Sequence, residues 1–161
     1  MRSPETRSSY VHFTEITTRW NDNDVYGHVN NVMHYLFFDT AVNRNLILAG
    51  ALHPQNSPII GLVVETQCQY FRFITFPDVV HAGMRVTKLG RSSVRYEIGL
   101  FANDEETAAA QGYFVHVYVD RADNKPVPIP DNIRLVLERL LRPAAEAGNA
   151  PAAQPGGRGK G

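Results

Sequence analysis

Apolar and polar residues alternate along five segments of the chain. The first, Tyr10–Thr18, alternates weakly, and the second runs from Ile59 to about Ile74. Three later segments alternate more cleanly, with apolar residues at Val80, Ala82, Met84 and Val86, at Val94, Tyr96, Ile98 and Leu100, and at Tyr113, Val115, Val117 and Val119. A period of two is that of a pleated strand with one buried face, so the pattern predicts five β-strands.

A sixth segment is apolar on nearly every side. Asn31–Ala49 reads NVMHYLFFDTAVNRNLILA, and Gly50 follows it as a stop signal. Helices with so few polar positions are normally buried rather than laid on a surface. A second, shorter helix is predicted over Ile133–Leu141, with Asp131 or Asn132 as its N-cap.

The order of these elements favours an α+β domain. The last four strands are joined largely by short turns, which implies antiparallel pairing. A single apolar helix beside one sheet indicates a sheet that wraps around that helix. Because one five-stranded sheet cannot cover every side of such a helix, we expect a symmetric partner to bring a second sheet, as a homodimer or a dimer of dimers.

Length and composition exclude several classes of protein. A chain of 161 residues suits one domain. We expect that domain over residues 10–142, between a loose segment over 1–9 and a disordered Pro/Ala/Gly-rich tail over 143–161. With 16 basic and 16 acidic residues, the chain has no net charge to attract nucleic acid or a membrane surface. The single cysteine, Cys68, excludes an internal disulfide framework and a cysteine-rich zinc site.

The sequence carries no targeting or membrane signal that we can identify. The N-terminal residues have no apolar core like that of a signal peptide, and no apolar run is long enough to span a bilayer. We therefore expect a cytoplasmic protein.

Small polar and charged residues gather directly before the long helix, in Arg19–Asn31, which reads RWNDNDVYGHVNN. Further short motifs follow along the chain: Val63-Val64-Glu65, Phe76-Pro77-Asp78, Gly90-Arg91-Ser92-Ser93, His116–Arg121 and Pro126–Pro130. In this order and spacing they resemble the 4-hydroxybenzoyl-CoA thioesterase-like branch of the hotdog-fold acyl-CoA thioesterases, over about residues 10 to 140. The resemblance implies a five-stranded antiparallel sheet wrapped around one long buried helix. It also implies hydrolysis of an acyl or aryl thioester to a carboxylic acid and a free thiol.

This chemistry needs a carboxylate and a group that holds the oxyanion. The carboxylate acts as a general base or as a nucleophile, and unpaired N–H groups at a helix N-terminus stabilise the oxyanion. The resemblance implies that Asp24 is the carboxylate and that the N–H of Asn31, seven residues later, polarises the carbonyl. It also implies orienting or water-binding roles for His28 and Asn30. Gly27 is expected to let the backbone approach the substrate closely.

Structural interpretations of the same residues stay open. Asp22 is expected to form a turn, and an equivalent turn is the alternative for Asp24. His28 is explained as well by a structural hydrogen bond at the start of the helix. His34 lies within the helix and is interpreted as a core or interface histidine.

The anionic nucleotide of coenzyme A needs basic groups. The turn KLGRSS offers two basic and two hydroxyl side chains, Lys88, Arg91, Ser92 and Ser93. The resemblance implies coenzyme contacts around this turn, often at a subunit boundary. The alternative is an ordinary solvated hairpin. Arg72 and Arg95 are weaker candidates for the same role.

No metal and no cofactor are expected beyond the coenzyme A of the substrate. The DNDVYG segment starts like a calcium-binding loop, but Tyr26 and Met33 occupy its fifth and twelfth positions, where that loop needs ligands. His28 and His34 are six residues apart and do not share a helical face as zinc-binding pairs do. The expected partner is an acyl-CoA or acyl carrier protein thioester, with no nucleic acid and no membrane.

Two other functions are compatible with the sequence. One is a hydratase or dehydratase of the same fold that acts on acyl thioesters. The other is a non-catalytic module that binds acyl-CoA without turnover.

Overall fold

The computed structural model describes residues 2–142, so the tail predicted to be disordered lies outside the described residues. The described chain forms β1 (His12–Thr17), α1 (Asn31–Leu48), β2 (Ile59–Tyr70), β3 (Val79–Leu89), β4 (Ser93–Ala102), β5 (Ala110–Asp120) and α2 (Asp131–Arg139). The five strands make one antiparallel sheet in the order β1-β3-β4-β5-β2. The predicted α+β hotdog architecture, with its one long helix and short C-terminal helix, is confirmed.

Some predicted boundaries are wrong by a few residues. β2 ends at Tyr70 rather than near Ile74, because the next two backbone N–H groups both donate to the carbonyl of Ala109 and the chain leaves the ladder. α2 begins at Asp131, so neither Asp131 nor Asn132 is its N-cap. Pro130 occupies that position, with an extended ψ of 145° that turns the chain into the helix.

α1 packs across the inner face of the sheet. Its buried side chains lie along one side of the helix: His34, Phe37, Phe38, Ala41, Val42 and Leu46. The five apolar ones belong to one core cluster with the inward side chains of the central strands, among them Val80, Met84, Tyr96, Ile98, Leu100 and Phe114. The opposite side of the helix stays exposed in the single chain, at Val32, Leu36 and Ile47, and Leu48 is exposed at the end of the helix. One sheet therefore covers only part of this apolar helix.

Within the segment predicted to be loose, Ser3, Glu5 and Arg7 make hydrogen bonds to β5 and to the turn before it. Ser3–Tyr10, which we call the N-terminal strap, crosses the outer face of the sheet. The N–H of Glu5 donates to the side-chain oxygen of Gln111 at 2.7 Å, and the Gln111 amide donates to the Ser3 carbonyl at 3.2 Å. The Arg7 side chain donates to two backbone carbonyls in the turn between β4 and β5. These tertiary bonds order a segment that has no hydrophobic pattern of its own.

Two glycines make room for the strap. Gly83 and Gly99 are paired across β3 and β4, and the ring of Tyr10 lies over both. A Cβ atom on Gly99 would stand 2.6 Å from that ring, and one on Gly83 would stand 2.9 Å from it. Tyr10 also meets Phe101 edge to face, with ring centroids 5.8 Å apart. The absence of side chains at the glycine pair thus permits the close approach.

We expect Gly99→Ala to lower the free energy of unfolding by about 1 to 3 kcal/mol, because the added methyl group overlaps the Tyr10 ring. Urea unfolding followed by circular dichroism measures this change. In a Tyr10→Ala background the same substitution should cost much less, since the overlap is gone. An equal loss in both backgrounds would contradict the packing of the strap on the glycine pair.

Candidate active site

A buried carboxylate shapes the loop before α1. Asp22 is 1% exposed, and its two oxygens accept hydrogen bonds from the backbone N–H of Arg19 at 2.7 Å and from the Arg19 guanidinium at 2.9 Å. The carbonyl of Asp22 accepts the N–H of Asn30 at 2.8 Å. The interpretation of Asp22 as a turn-forming acid is therefore confirmed.

Asp24 heads a tight turn and keeps one carboxylate oxygen free. Its carbonyl accepts the N–H of Gly27 at 3.1 Å, and its Oδ1 accepts the N–H of Tyr26 at 2.8 Å. Its own N–H donates to the carbonyl of His28 at 2.8 Å. Oδ2 has no hydrogen-bond partner among residues 2–142. Asp24 thus forms the turn named as its alternative role and still presents an unpaired anionic oxygen.

Gly27 serves the loop through its backbone conformation. Its φ of +80° lies in the left-handed region, which a residue without Cβ adopts at little cost. The hydroxyl of Thr75, in the segment after β2, donates to the Gly27 carbonyl at 2.7 Å and ties the turn to the sheet. Gly27 does not line the cleft described below, so its place is that of a turn residue.

The start of α1 leaves one backbone donor unpaired. Asn30 is the N-cap, and its Oδ1 accepts the N–H of Val32 at 3.2 Å, while its carbonyl accepts the N–H of Met33 at 2.9 Å. The N–H of Asn31 has no acceptor in the described part of the chain. The partial positive charge of a helix N-terminus lies at this free group. Asn30 itself is used as a cap and does not line the cleft.

Asp24 and Asn31, the two residues with these unpaired groups, both line one cleft of about 700 Å³. Its other polar side chains are those of His28, His34, Tyr26, Tyr70 and Arg72. Phe71, Phe73 and Ile74, from the segment that follows β2, form apolar walls. A volume of this size suits a small-molecule substrate or the acyl part of a larger one.

His28 is held as part of the cleft wall. Its ring stacks on Phe73 with centroids 3.8 Å apart and planes 7° from parallel. Its Nδ1 is buried and has no hydrogen-bond partner among the described residues. The stacking fixes the orientation of the ring and leaves this buried nitrogen without a partner.

His34 also lines the cleft, whereas the sequence analysis interpreted it as a core or interface histidine. It is 3% exposed, and its Nδ1 lies 3.3 Å from the carbonyl of Asn30. Burial lowers the pKa of this imidazole below its usual value, although the nearby backbone carbonyls of Asn30 and Asn31 partly oppose the effect. The available signal was its spacing of three from Asn31, which places both on adjacent turns of one helix face.

The basic turn predicted to bind coenzyme A lies at the other end of the sheet. Ser93 begins β4 there, whereas the far end of β4 pairs with Ala110, next to the cleft. Seven strand steps separate these ends, which is roughly 20 to 25 Å. Lys88 and Arg91 are exposed on this turn. Within one chain the structure does not bring these residues together with Asp24.

Arg72 is the basic residue that the structure does place in the cleft wall. Its guanidinium donates to the hydroxyl of Thr107 at 2.8 Å and to the Thr107 carbonyl at 2.6 Å, and it pairs with Glu105. These partners neutralise the charge and hold the side chain in place. Arg95 instead lies on the outer face, 3.7 Å from the centroid of the Tyr113 ring.

Two general features of the described chain complete this account. Between residues 2 and 142, no helix is long and apolar enough to cross a membrane. In the same range, no three side chains among His, Cys, Asp and Glu gather in a way that would hold a metal ion.

The overall structure resembles several solved proteins. The PA5185 protein of Pseudomonas aeruginosa is 50% identical in sequence, with a TM-score of 0.85 over 86% of this chain and 97% of that one. The PA2801 protein of the same organism is 27% identical, with a TM-score of 0.73 over 80% of this chain and 98% of that one. DHNA-CoA thioesterase from Staphylococcus aureus is 21% identical, with a TM-score of 0.70 over 79% and 86%, and shares the fold.

The sequence profile of the thioesterase-like superfamily matches residues 18–137, most of the described chain. That range contains the Asp24 loop, α1 and all of the sheet except β1. The hotdog architecture, the cleft at the start of α1 and this match lead to one conclusion. The chain belongs to the thioesterase-like superfamily.

Proposed function

We propose that this protein is an acyl-CoA thioesterase that releases a carboxylic acid and a free thiol. The observation that carries the proposal is the pair of unpartnered groups at one cleft, the Oδ2 of Asp24 and the N–H of Asn31. An anionic oxygen and a fixed amide donor are the two groups that acyl transfer from a thioester requires. Membership of the thioesterase-like superfamily supports the same reaction.

The mechanism follows from the chemistry of these two groups. The substrate carbonyl oxygen accepts the N–H of Asn31, which stabilises the negative charge that grows on it as the carbonyl carbon becomes tetrahedral. The carboxylate of Asp24 either attacks that carbon or removes a proton from attacking water. The leaving group is an alkyl thiol with a pKa of roughly 8.5, so it departs without a strong acid. His28 orients water or the substrate from the wall of the cleft.

We further propose that the working unit is a homodimer, alone or as half of a dimer of dimers, built along the free edge of β2. β2 is an edge strand, and Leu62, Val63 and Val64 are 40%, 46% and 60% exposed. An edge with unpaired backbone groups and apolar side chains is a surface for pairing with another strand. Antiparallel pairing of two such edges would bring the end of the partner's sheet that carries the Lys88–Ser93 turn towards the cleft.

Such a dimer also offers a way to use the basic turn. In one chain the turn at Lys88–Ser93 is at the opposite end of the sheet from Asp24. A two-fold axis through the middle of β2 would carry the partner's turn to the same end as the cleft. Lys88, Arg91, Ser92 and Ser93 of one subunit would then bind the coenzyme A whose thioester lies at Asp24 of the other.

We expect Asp24→Asn to lower kcat by about 10² to 10⁴-fold, because the variant has neither a nucleophilic nor a basic oxygen at this position. The melting temperature should barely move, since an Asn side-chain oxygen can still accept the N–H of Tyr26. Thiol release across short, long and aromatic acyl-CoA substrates measures turnover. As a matched control, Asp22→Asn should lower the melting temperature, because Asp22 is buried against Arg19. Near-normal thiol release by Asp24→Asn would remove Asp24 from the mechanism.

Oxygen-18 water distinguishes the two routes open to Asp24. Under single-turnover conditions, direct attack by the carboxylate places the first label on Asp24, and attack by water places it on the product acid. Mass spectrometry of the peptide that contains Asp24 reads the difference. Detection of an enoyl or hydroxyacyl product in place of thiol would instead support a hydratase.

Mixing a variant defective in turnover with one defective in coenzyme A binding tests whether the cleft and the basic turn act across subunits. Lys88→Glu with Arg91→Glu should raise KM for acyl-CoA and leave kcat little changed, because the turn binds only the nucleotide. Subunits of this variant, exchanged with Asp24→Asn subunits, should regain turnover with a normal KM, since each mixed dimer contains one intact site. Absence of regained activity in verified mixed dimers would contradict a shared site.

A further inference from the structure

His34 combines burial with access to the cleft. It lies one turn into α1, beyond the Asn30 cap, and only 3% of its surface is exposed. Its exposed part faces the cleft, which it lines together with Asp24 and Asn31. A histidine in the wall of a cleft, beside the groups assigned to the reacting carbonyl, is placed to contact the water that the reaction consumes.

The neighbouring backbone decides which ring nitrogen carries hydrogen. Nδ1 of His34 lies 3.3 Å from the carbonyl of Asn30, and a carbonyl can only accept a hydrogen bond. Nδ1 is therefore the donor, and in the neutral ring Nε2 keeps its lone pair. Nε2 has no partner among residues 2–142 and is not sealed from the cleft.

Two aromatic rings hold the imidazole in this orientation. Tyr70 meets it edge to face, with centroids 4.8 Å apart and planes at 78°, and Phe37 lies 6.2 Å away. The hydroxyl of Tyr70 donates to the carbonyl of Asn31 at 3.0 Å, which couples the edge of the sheet to the first turn of α1. The ring is thus fixed at the same helix end as the free N–H.

The surroundings keep the ring neutral near physiological pH. Burial lowers the pKa of His34 below its usual 6.5. The titratable and charged groups around it are Tyr70 from β2, Arg72 beyond the end of β2, and Asp24 and His28 from the loop. None of them forms an ion pair with His34 in the described part of the chain. Burial also raises the pKa of the Tyr70 phenol, so Tyr70 contributes no charge.

We propose that His34 is a second catalytic residue, the base that takes a proton from the attacking water. This inference rests on the proposed thioesterase function. As the water oxygen bonds to the acyl carbon, one of its protons passes to Nε2. When the tetrahedral species collapses, the bond to the leaving group breaks. The proton on Nε2 then returns to the departing thiolate or to solvent, so that one water and one thioester give one acid and one thiol.

The same role applies whether or not Asp24 is acylated first. If Asp24 attacks the thioester, the thiolate leaves in that step and the water assisted by His34 cleaves the resulting mixed anhydride. If Asp24 remains an ion beside the carbonyl, the water assisted by His34 attacks the thioester itself. In both cases His34 acts on water, so in the second route His34 accepts the proton that the mechanism above assigned to Asp24.

The test compares wild type, His34→Gln and the matched control His12→Gln, whose side chain is exposed on β1. We expect His34→Gln to lower kcat about 10² to 10⁴-fold, with little change in KM. Wild-type kcat should fall as the pH drops through the His34 pKa, below 6.5, because a protonated ring cannot accept a proton. That inflection should vanish in His34→Gln and persist in His12→Gln.

A stronger nucleophile separates a catalytic from a structural role. Hydroxylamine attacks acyl groups without a protein base and gives a hydroxamic acid and the thiol. Hydroxylamine should restore thiol release by His34→Gln, whereas with water as the nucleophile the variant should release little thiol. An active His34→Gln, or one that hydroxylamine fails to rescue although it binds a non-hydrolysable thioether analogue normally, would overturn the role of His34. Wild-type protein that releases no thiol from any acyl-CoA would instead overturn the proposed function.

Discussion

The packing of α1 against the inner face of the sheet is the constraint on which the rest depends. Phe37, Phe38 and Ala41 are buried against the central strands, so the axis of the helix cannot shift relative to the sheet. The N-terminus of α1 is thereby fixed where the segment after β2 and the Asp24 loop converge. A free backbone N–H can stabilise a reacting carbonyl only when the residues around that carbonyl are held in a fixed position relative to it. The hydrophobic burial of α1 supplies this rigidity.

Two carboxylates that are two residues apart in the loop, those of Asp22 and Asp24, differ in their hydrogen bonding. Asp22 is buried, and both of its oxygens are engaged by Arg19. Asp24, which lines the cleft, accepts the N–H of Tyr26 with one oxygen, and its other oxygen has no partner among residues 2–142. Asp22 determines the path of the backbone in the loop, and that path positions Asp24. A substitution of Asp22 would therefore disturb the site by displacing Asp24 rather than by removing a reacting group.

The cleft and the basic turn occupy opposite ends of the sheet, and the free edge of β2 lies between them. One side of α1 and the edge of β2 both expose apolar side chains in the single chain. Covering these surfaces with a second copy would lower the exposed apolar area, and the same symmetry would unite the two halves of a coenzyme A site. Assembly and substrate binding would then depend on the same surface.

The helices and strands follow from local patterns in the chain. Period-two alternation identified the five strands and an apolar run identified α1, because these signals are local. Asp24 and Asn31 were singled out by the resemblance of their segment to a known family. Tertiary structure decided the rest. The strap can pack on the sheet because Gly83 and Gly99 lie side by side on neighbouring strands and leave room for Tyr10. The inclusion of His34 in the cleft, and the exclusion of the Lys88–Ser93 turn from it, depend on which surfaces meet when the helix packs on the sheet. No local pattern encodes such distances between remote segments.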